Sequence, residues 1–285
     1  MCRFLVYKGR EIFMSDLMMN AEQSLILQSY KAKEREEPLN GDGFGIGWYN
    51  HDIDPTPCVY TSTRPAWNNR NLFRLSEKTQ SNCFFAHVRA ASKDTYVSEF
   101  NCHPFQYEQF LWMHNGKIAE FAKIKRRLRE SLDDNYYNFI LGTTDSEHAF
   151  AVFLNALGER VDDYSLTDLS NAMLTTIRQI LEWKREANIT TPSYLNFALS
   201  DGYNTVATRY VSHPDYAPAS LYLSAGERIE IIEGKYRMTP VRKHPKTVII
   251  ASEPLTAERD DWQAVERNHL VTITPELHVK TQPID

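Results

Sequence analysis

The spacing of the apolar residues changes twice along this chain of 285 residues, and that change limits the fold more than any other feature. Residues 2–113 contain short segments that alternate apolar and polar positions, which is the period of a strand. Residues 121–187 have apolar positions at helical spacing, and from Tyr194 onward the period returns to two. Strands, then helices, then strands, without a βαβ rhythm, predict an α+β fold with antiparallel sheets.

The individual elements follow from these periodicities and from the polar, Gly and Pro residues between them. We predict strands over residues 2–7, 44–49, 83–88, 104–107, 110–113, 195–199, 205–211, 221–224, 228–232 and 247–251. We predict helices over residues 24–32, 69–78, 121–132, 146–157 and 166–187. No repeat, low-complexity tract or Gly/Ser-rich linker interrupts this order, which favours a single domain.

The composition excludes several classes of partner. Lys and Arg number 32 against 37 Asp and Glu, giving a net charge of -5. Without a long basic run to neutralise a phosphate backbone, we expect no nucleic acid partner. The apolar runs at 83–86 and 247–251 are far shorter than the roughly 20 residues that span a bilayer, so we expect no membrane association. Residues 1–8 lack the features of a secretory signal, which predicts a cytoplasmic protein.

Four of the 11 glycines, Gly41, Gly43, Gly45 and Gly47, fall within seven residues. A phosphate-binding loop needs a strand before the glycines and a helix after them, but here a charged segment precedes and a strand pattern follows. We therefore predict a strand whose glycine face lets another backbone or a ligand approach closely.

The four cysteines are too far apart for a CxxC motif, and we expect all of them to be free thiols. Cys83 lies in an apolar run and Cys58 follows a loop proline, so both are interpreted as structural. Chemistry is conceivable for Cys2 and Cys102. Removal of Met1 would place the Cys2 thiol beside a free α-amine, whose reference pKa of about 7.7 to 8 suits a general base.

Three segments concentrate polar residues at strand ends or a helix start, where side chains and backbone amides converge on ligands: residues 87–92, 113–118 and 142–147. Four of the nine histidines lie in or beside them, so a zinc site has to be weighed. Because the histidines and cysteines show neither CxxC nor helical i,i+4 spacing, we expect no metal and no cofactor.

Six motifs occur in order over residues 2–147. They are Cys2 behind Met1, Gly-Asp-Gly-Phe-Gly at 41–45, His-Val-Arg-Ala-Ala at 87–91, Asn-Cys-His-Pro-Phe at 101–105, His-Asn-Gly at 114–116 and Thr-Thr-Asp-Ser-Glu at 143–147. Together they resemble the class II glutamine amidotransferase domain of the N-terminal-nucleophile hydrolases. Segments at 200–202, 207–210 and 252–255 resemble its stand-alone branch. The resemblance implies a four-layer αββα sandwich of two antiparallel sheets as one domain over 1–285, completed by the strands in 194–285.

The resemblance also implies a role for each site residue. Cys2 matches the nucleophile that attacks the side-chain amide of glutamine and forms a γ-glutamyl thioester. The Asn115 side-chain amide and the Gly116 backbone N–H match the oxyanion-hole donors. Arg89 matches the residue that binds the substrate α-carboxylate, and Asp145 matches the one that binds the α-ammonium group.

Each of these residues also has a purely structural interpretation when taken alone. An arginine after a strand, such as Arg89, is usually a surface charge, and Asn115-Gly116 is a common turn dipeptide. Asp145 precedes an apolar helix and is a candidate N-cap, with Thr144 and Ser146 as rivals. We interpret His103 and Cys102 as structural or pocket-wall residues.

The chain departs from the sugar-synthase members of the family at residues 90–93, where their tryptophan and Thr-His pair are replaced by Ala-Ala-Ser-Lys. We therefore expect either glutamine or another γ-glutamyl small molecule as substrate. With 30 residues after Leu255 and no P-loop, an ammonia acceptor or a peptidase subunit would be a separate chain. The alternatives are a glutaminase subunit that delivers ammonia to a synthase, and a non-enzymatic protein that binds thiols or metals.

Overall fold

Side chains of the first strand alternate between two separate cores. In the computed structural model, Phe4 and Val6 pack into one buried cluster, whereas Leu5 and Tyr7 pack into another. Because successive side chains of a strand point to opposite faces, this strand belongs to a sheet that is covered on both sides. The structure describes residues 2–34, 39–91, 96–159, 164–232 and 235–284.

The described residues form fifteen strands and six α-helices. The strands are β1 (Arg3–Phe13), β2 (Phe44–Asn50), β3 (Asp54–Ser62), β4 (Gln80–Val88), β5 (Phe105–Tyr107), β6 (Phe110–Lys117), β7 (Tyr194–Ser200), β8 (Thr205–Arg209), β9 (Tyr222–Gly226), β10 (Ile229–Ile232), β11 (Lys235–Met238), β12 (Thr247–Ala251), β13 (Gln263–Ala264), β14 (His269–Ile273) and β15 (Val279–Pro283). The helices are α1 (Leu25–Lys31), α2 (Arg70–Ser76), α3 (Phe121–Glu130), α4 (Asp134–Phe139), α5 (Asp145–Leu157) and α6 (Leu166–Glu186). Shorter 3₁₀ or π turns occupy Asp16–Asn20, Ala66–Asn68, Glu99–Asn101 and Arg259–Asp261.

Two large sheets carry the fold, and every strand pairing in them is antiparallel. The first has seven strands in the order β13-β9-β12-β1-β4-β2-β3, and the second has six in the order β15-β14-β8-β7-β6-β5. β10 and β11 form a separate hairpin. Strands from both ends of the chain meet in the first sheet, where β1 lies between β4 and β12.

Three hydrophobic clusters separate four layers. Trp112 of β6 stacks on Phe150 of α5, with ring centroids 5.4 Å apart, in the cluster between the six-stranded sheet and helices α3 to α6. Phe85 and Met113 lie in the cluster between the two sheets. Leu72 of α2 packs in the third cluster, on the outer face of the seven-stranded sheet. The predicted α+β fold, an αββα sandwich of two antiparallel sheets, is confirmed.

All ten predicted strands and all five predicted helices occur, with ends that differ by a few residues in most cases. The largest such difference is in β1, which continues to Phe13 and bulges between Lys8 and Ile12. The periodicities did not predict β3, β11, β13, β14, β15 or α4. β3 was not predicted because it contains Pro55 and Pro57, which argue against a strand. It accommodates both prolines because it is an edge strand.

The glycine face of β2 receives another backbone, as predicted. A Cβ atom at Gly45 would overlap the carbonyl oxygen of His103, and one at Gly47 would lie 2.8 Å from Pro104 Cγ. Gly43, just before β2, has φ +115° and would place a Cβ 2.7 Å from Cys102 Sγ. The segment that carries His103 therefore packs directly on β2, because no side chain stands between them.

Candidate functional site

Cys2 directly precedes β1, a central strand of the seven-stranded sheet. Because β1 and β4 are antiparallel, Cys2 lies beside the end of β4. Arg3 pairs with Val88 in the register of these strands, so Cys2 lies next to the residues that follow β4. The Ala90 backbone N–H donates to Cys2 Sγ at 3.4 Å, and the thiol donates to the Ala90 carbonyl at 3.6 Å. The sulfur therefore lies against the Ala90 backbone, and Cys2 as a whole is half-buried. Met1 lies outside the described residues.

Arg89 is buried, with 3% of its surface exposed, so it is not the surface charge that its loop position alone would suggest. Its backbone N–H donates to Gly43 O at 2.8 Å, which extends the pairing of β4 with the glycine segment. Its guanidinium contacts the carbonyl oxygens of Asp42 and Tyr96, each at 3.4 Å. Five N–H donors in a planar fork suit such a position, because they can bind backbone carbonyls and a ligand carboxylate together.

Asn115 and Gly116 lie in β6, opposite Asn196 and Leu195 of β7, and do not form the turn that the dipeptide also permitted. Asn115 is fully buried, and its Nδ2 donates to Ser252 Oγ at 3.2 Å. A Cβ atom at Gly116 would overlap the carbonyl oxygen of Tyr194, so this position accepts only glycine.

Asp145 is the first residue of α5, and its carboxylate faces the end of β6. The Ile118 N–H donates to Asp145 Oδ2 at 2.6 Å, and the Ser146 hydroxyl donates to Oδ1 at 3.2 Å. The helix is capped by Thr144, whose side chain accepts from the Glu147 N–H. Of the three N-cap candidates in the sequence, Thr144 is therefore the correct one, and the Asp145 carboxylate is directed to the end of β6.

Hydrogen bonds connect the Arg89 region with the Asp145 region. The Tyr96 carbonyl, which Arg89 contacts, also accepts from Asn101 Nδ2 at 2.8 Å. Asn101 is buried, and its Oδ1 accepts from the Thr143 N–H at 2.8 Å, two residues before Asp145. These hydrogen bonds link Arg89 through Asn101 to Thr143, two residues before Asp145, and Asn101 belongs to the Asn-Cys-His-Pro-Phe motif.

Three buried histidines surround this site. His87 and His103 stack with ring centroids 4.2 Å apart, and His87 Nε2 lies 3.4 Å from the His114 carbonyl. Burial lowers the pKa of His87 to about 3 and that of His103 well below its usual range. Burial also lowers the pKa of His114, although the Asp145 carboxylate partly opposes the shift. The lowered pKa values favour the neutral form of all three imidazoles, and His103 lies buried against His87 and Phe105.

The remaining cysteines do not take part in the site. Cys102 is buried beneath Gly43, and burial raises the pKa of its thiol to about 11. Cys83 is buried between the sheets, whereas Cys58 is an exposed residue of β3 and not of a loop. No group of three or more His, Cys, Asp and Glu side chains that could hold a metal ion occurs within the described part of the chain.

Sequence reasoning missed two further residues that contact the site. Asp42 Oδ2 accepts the Ala91 N–H at 2.8 Å, and the Asp42 N–H donates to Arg89 O at 3.0 Å. Ser252 binds Asn115, as described above. Asp42 lies in the motif at 41–45 and Ser252 in the segment at 252–255, so the resemblance of these segments to the family was the signal that could have indicated both residues. Of the divergent stretch at 90–93, Ser92 and Lys93 lie outside the described residues.

Residues 13–282 match the family described as "Glutamine amidotransferases class-II". The chain belongs to this family. The matched segment begins at residue 13 and does not include Cys2.

Relatives of known sequence cover nearly the whole chain. The "Probable glutamine amidotransferase DUG3" of Saccharomyces cerevisiae is 43% identical over 96% of this chain and 82% of its own length. The "Gamma-glutamyl-hercynylcysteine sulfoxide hydrolase" of Mycobacterium tuberculosis is 29% identical over 96% of this chain and 93% of its own length. A "glutamine aminotransferase class-II domain protein" from Silicibacter pomeroyi has the same fold, with a TM-score of 0.66 at 23% identity over 99% of both chains. This class II amidotransferase is thus an enzyme, and within its described residues no helix could cross a membrane.

Proposed function

We propose that this chain hydrolyses the side-chain amide of glutamine or of a related γ-glutamyl compound through a thioester on Cys2. One observation carries the proposal: the strand that begins after Cys2 is joined to Asn115 by two successive hydrogen bonds. Phe4 N–H donates to Ser252 Oγ at 3.0 Å, and Asn115 Nδ2 donates to the same oxygen at 3.2 Å. A nucleophile and an amide donor brought together in this way suit acyl transfer.

The chemical steps use the chain's own groups. After Met1 is removed, the α-amine of Cys2 accepts the thiol proton while Sγ attacks the substrate carbonyl carbon. Asn115 Nδ2 and the Gly116 N–H stabilise the tetrahedral oxyanion. The C–N bond then breaks, the ammonium form of the α-amine returns the proton to the leaving amine, and a γ-glutamyl thioester remains. Water activated by the same amine hydrolyses the thioester, which releases the γ-carboxylate and regenerates the thiol.

Arg89 and Asp145 hold the other end of the substrate in this proposal. The Arg89 guanidinium binds the α-carboxylate, and the Asp145 carboxylate binds the α-ammonium group. Asp145 already accepts the Ile118 N–H, so its position relative to β6 is set before the substrate arrives. We propose that residues 1–285 act as one catalytic domain and that the protein is cytoplasmic.

The leaving group separates glutamine from larger γ-glutamyl substrates. One relative is named as a hydrolase of γ-glutamyl-hercynylcysteine sulfoxide and another as a probable glutamine amidotransferase. Because residues 90–93 depart from the arginine motif of the sugar-synthase members, we favour a γ-glutamyl amide or peptide over free glutamine.

A hydrolysis screen tests the proposal. Purified protein is incubated with glutamine, glutathione and simple γ-glutamyl amides, and the release of glutamate is measured. We expect turnover on at least one substrate and an intact mass that lacks one methionine. Active protein that fully retains Met1 would exclude the α-amine as base. Turnover that appears only after a partner protein is added would favour the glutaminase-subunit alternative.

A further inference from the structure

Ser252 lies where the two sheets meet, directly after β12. It is fully buried, and its backbone N–H donates to Phe4 O at 3.0 Å. Its hydroxyl oxygen accepts the Phe4 N–H at 3.0 Å. Ser252 therefore binds both backbone groups of Phe4, two residues from Cys2, and uses its side chain for one of them.

The same hydroxyl oxygen accepts a hydrogen bond from the opposite sheet. Asn115 Nδ2 donates to Ser252 Oγ at 3.2 Å, while Asn115 Oδ1 is buried and has no hydrogen-bond partner among the described residues. A side-chain amide carries two N–H donors, so one can bind Ser252 and leave the second for a ligand. Because Oδ1 has no described partner, the contact with Ser252 is what sets the rotation of this amide.

We infer that Ser252 is a positioning residue for Asn115, which aligns the amide with the carbonyl that Cys2 attacks. The inference rests on the proposed function. Ser252 Oγ is shared between the strand of the nucleophile and the amide donor, so it holds one relative to the other. Donor geometry matters because a displacement of about 1 Å in a catalytic group can cost about 100-fold in rate.

The decisive experiment is Ser252→Ala, measured by glutamate release from the best substrate of the hydrolysis screen. We expect kcat to fall about 10- to 100-fold, with KM within about twofold, since substrate anchoring does not involve Ser252. Alkylation of Cys2 by iodoacetamide should keep its wild-type rate, because that reaction needs the thiol but no oxyanion donor. Ser76→Ala is the matched control, since Ser76 is also fully buried and donates to Leu72 O in α2.

Three further variants separate positioning from a general structural role. Ser252→Cys has a similar volume but a weak acceptor, so it should fold and lose kcat as Ser252→Ala does. Ser252→Thr keeps the hydroxyl and should recover most of the activity. In an Asn115→Ala background, Ser252→Ala should lower kcat by less than about twofold, because the group it positions is already absent.

The outcomes distinguish this inference from the function beneath it. Wild-type kcat in Ser252→Ala and Ser252→Cys, beside a strongly impaired Asn115→Ala, would overturn the inference alone. The same would follow if Ser252→Ala lowered kcat equally with and without Asn115. Full activity of Asn115→Ala, or wild-type protein inactive on every substrate, would overturn the proposed function together with the inference.

Discussion

The two sheets support their halves of the site in different ways. The seven-stranded sheet presents Cys2, which is half-buried and whose sulfur exchanges hydrogen bonds with the Ala90 backbone at 3.4 and 3.6 Å. The six-stranded sheet presents Asn115, which is fully buried, and beside it the Asp145 carboxylate, 2.6 Å from the Ile118 N–H. The residue proposed to react is therefore partly exposed, whereas the amide proposed to stabilise charge is fully buried.

This difference matches the demands of acyl transfer. A nucleophile has to meet the substrate carbonyl, so it needs a side chain that the substrate can reach. Donors that stabilise developing charge work best when they need no rearrangement at the moment of reaction. If this division between a partly exposed nucleophile and a buried, preorganised amide holds, substitutions in the two sheets should have different effects.

Cys2→Ala should abolish turnover, with a loss of at least about 10⁴-fold, because no other group can form the thioester. Glutamate release measures the loss, and mass spectrometry should find the γ-glutamyl adduct in wild type only. Cys58→Ala, which removes an exposed thiol, serves as the control and should retain full activity. Appreciable turnover in Cys2→Ala would rule out Cys2 as the nucleophile.

Glu253→Ala should destabilise the half of the molecule that carries the nucleophile by about 3–5 kcal/mol. Glu253 Oε1 lies 2.9 Å from Arg3 Nε, and both side chains are buried, so the variant leaves a buried charge without this partner. Denaturant unfolding gives the free energy. The exposed pair between Arg126 and Glu130 provides the control, and Glu130→Ala should cost at most about 1 kcal/mol. Equal effects of the two substitutions would contradict the prediction.

Asn115→Ala should lower kcat about 100- to 1000-fold, equivalent to roughly 2.7 to 4 kcal/mol, as expected for an oxyanion donor. KM should change little, because the donor acts mainly in the transition state. Steady-state kinetics check the split. Asn196→Ala, at the opposite position in β7, is the matched control and should affect catalysis less. A change confined to KM would show that Asn115 binds the ground state instead.

Stability should fall as the pH drops below about 6.5. Burial lowers the pKa of His87 to about 3, so between these values the unfolded chain binds a proton that the folded chain does not. This loss should reach about 2 kcal/mol at pH 5 relative to pH 7. Thermal unfolding at both pH values measures it. His87→Asn should show a smaller difference, and an unchanged pH dependence in that variant would exclude His87 as the source.

Arg89→Lys should raise KM about tenfold, or about 1.4 kcal/mol, while kcat changes less. Lysine keeps the charge but loses the planar fork that contacts two carbonyls and is proposed to bind the α-carboxylate. Kinetics with glutamine and with a γ-glutamyl amide that lacks the α-carboxylate provide the test. The effect should disappear with the second substrate, and its persistence would mean that Arg89 only supports the loop.

Much of the fold could be predicted because periodicity is local information. The helices α5 and α6 carry apolar positions at helical spacing, and β7 and β12 read as buried strands, so neighbouring residues were sufficient to identify them. β3 was hidden because Pro55 and Pro57 argue against a strand unless it lies at an edge, and edge position depends on the assembled sheet. β15 is a largely exposed edge strand, so its apolar and polar residues show no clear alternation.

The site likewise combines residues that the sequence indicated with contacts that only the assembled fold shows. The order and type of the motif residues pointed to Cys2, Asn115, Gly116, Arg89 and Asp145. The sequence could not tell whether Asp145, Thr144 or Ser146 caps α5, because the cap depends on backbone geometry. The sequence did not indicate a role for Ser252, because its contact with Asn115 joins residues 137 positions apart.

Local sequence was enough to identify most of the strands and helices and the residues with reactive, charged or amide side chains, because both are properties of short stretches of chain. The assembled fold was needed to show how β1 is inserted between β4 and β12, and how Ser252 comes to lie between Phe4 and Asn115. These contacts link distant segments, and they form because buried polar groups are more stable when they are hydrogen-bonded within the protein. The support around the nucleophile is therefore a product of packing.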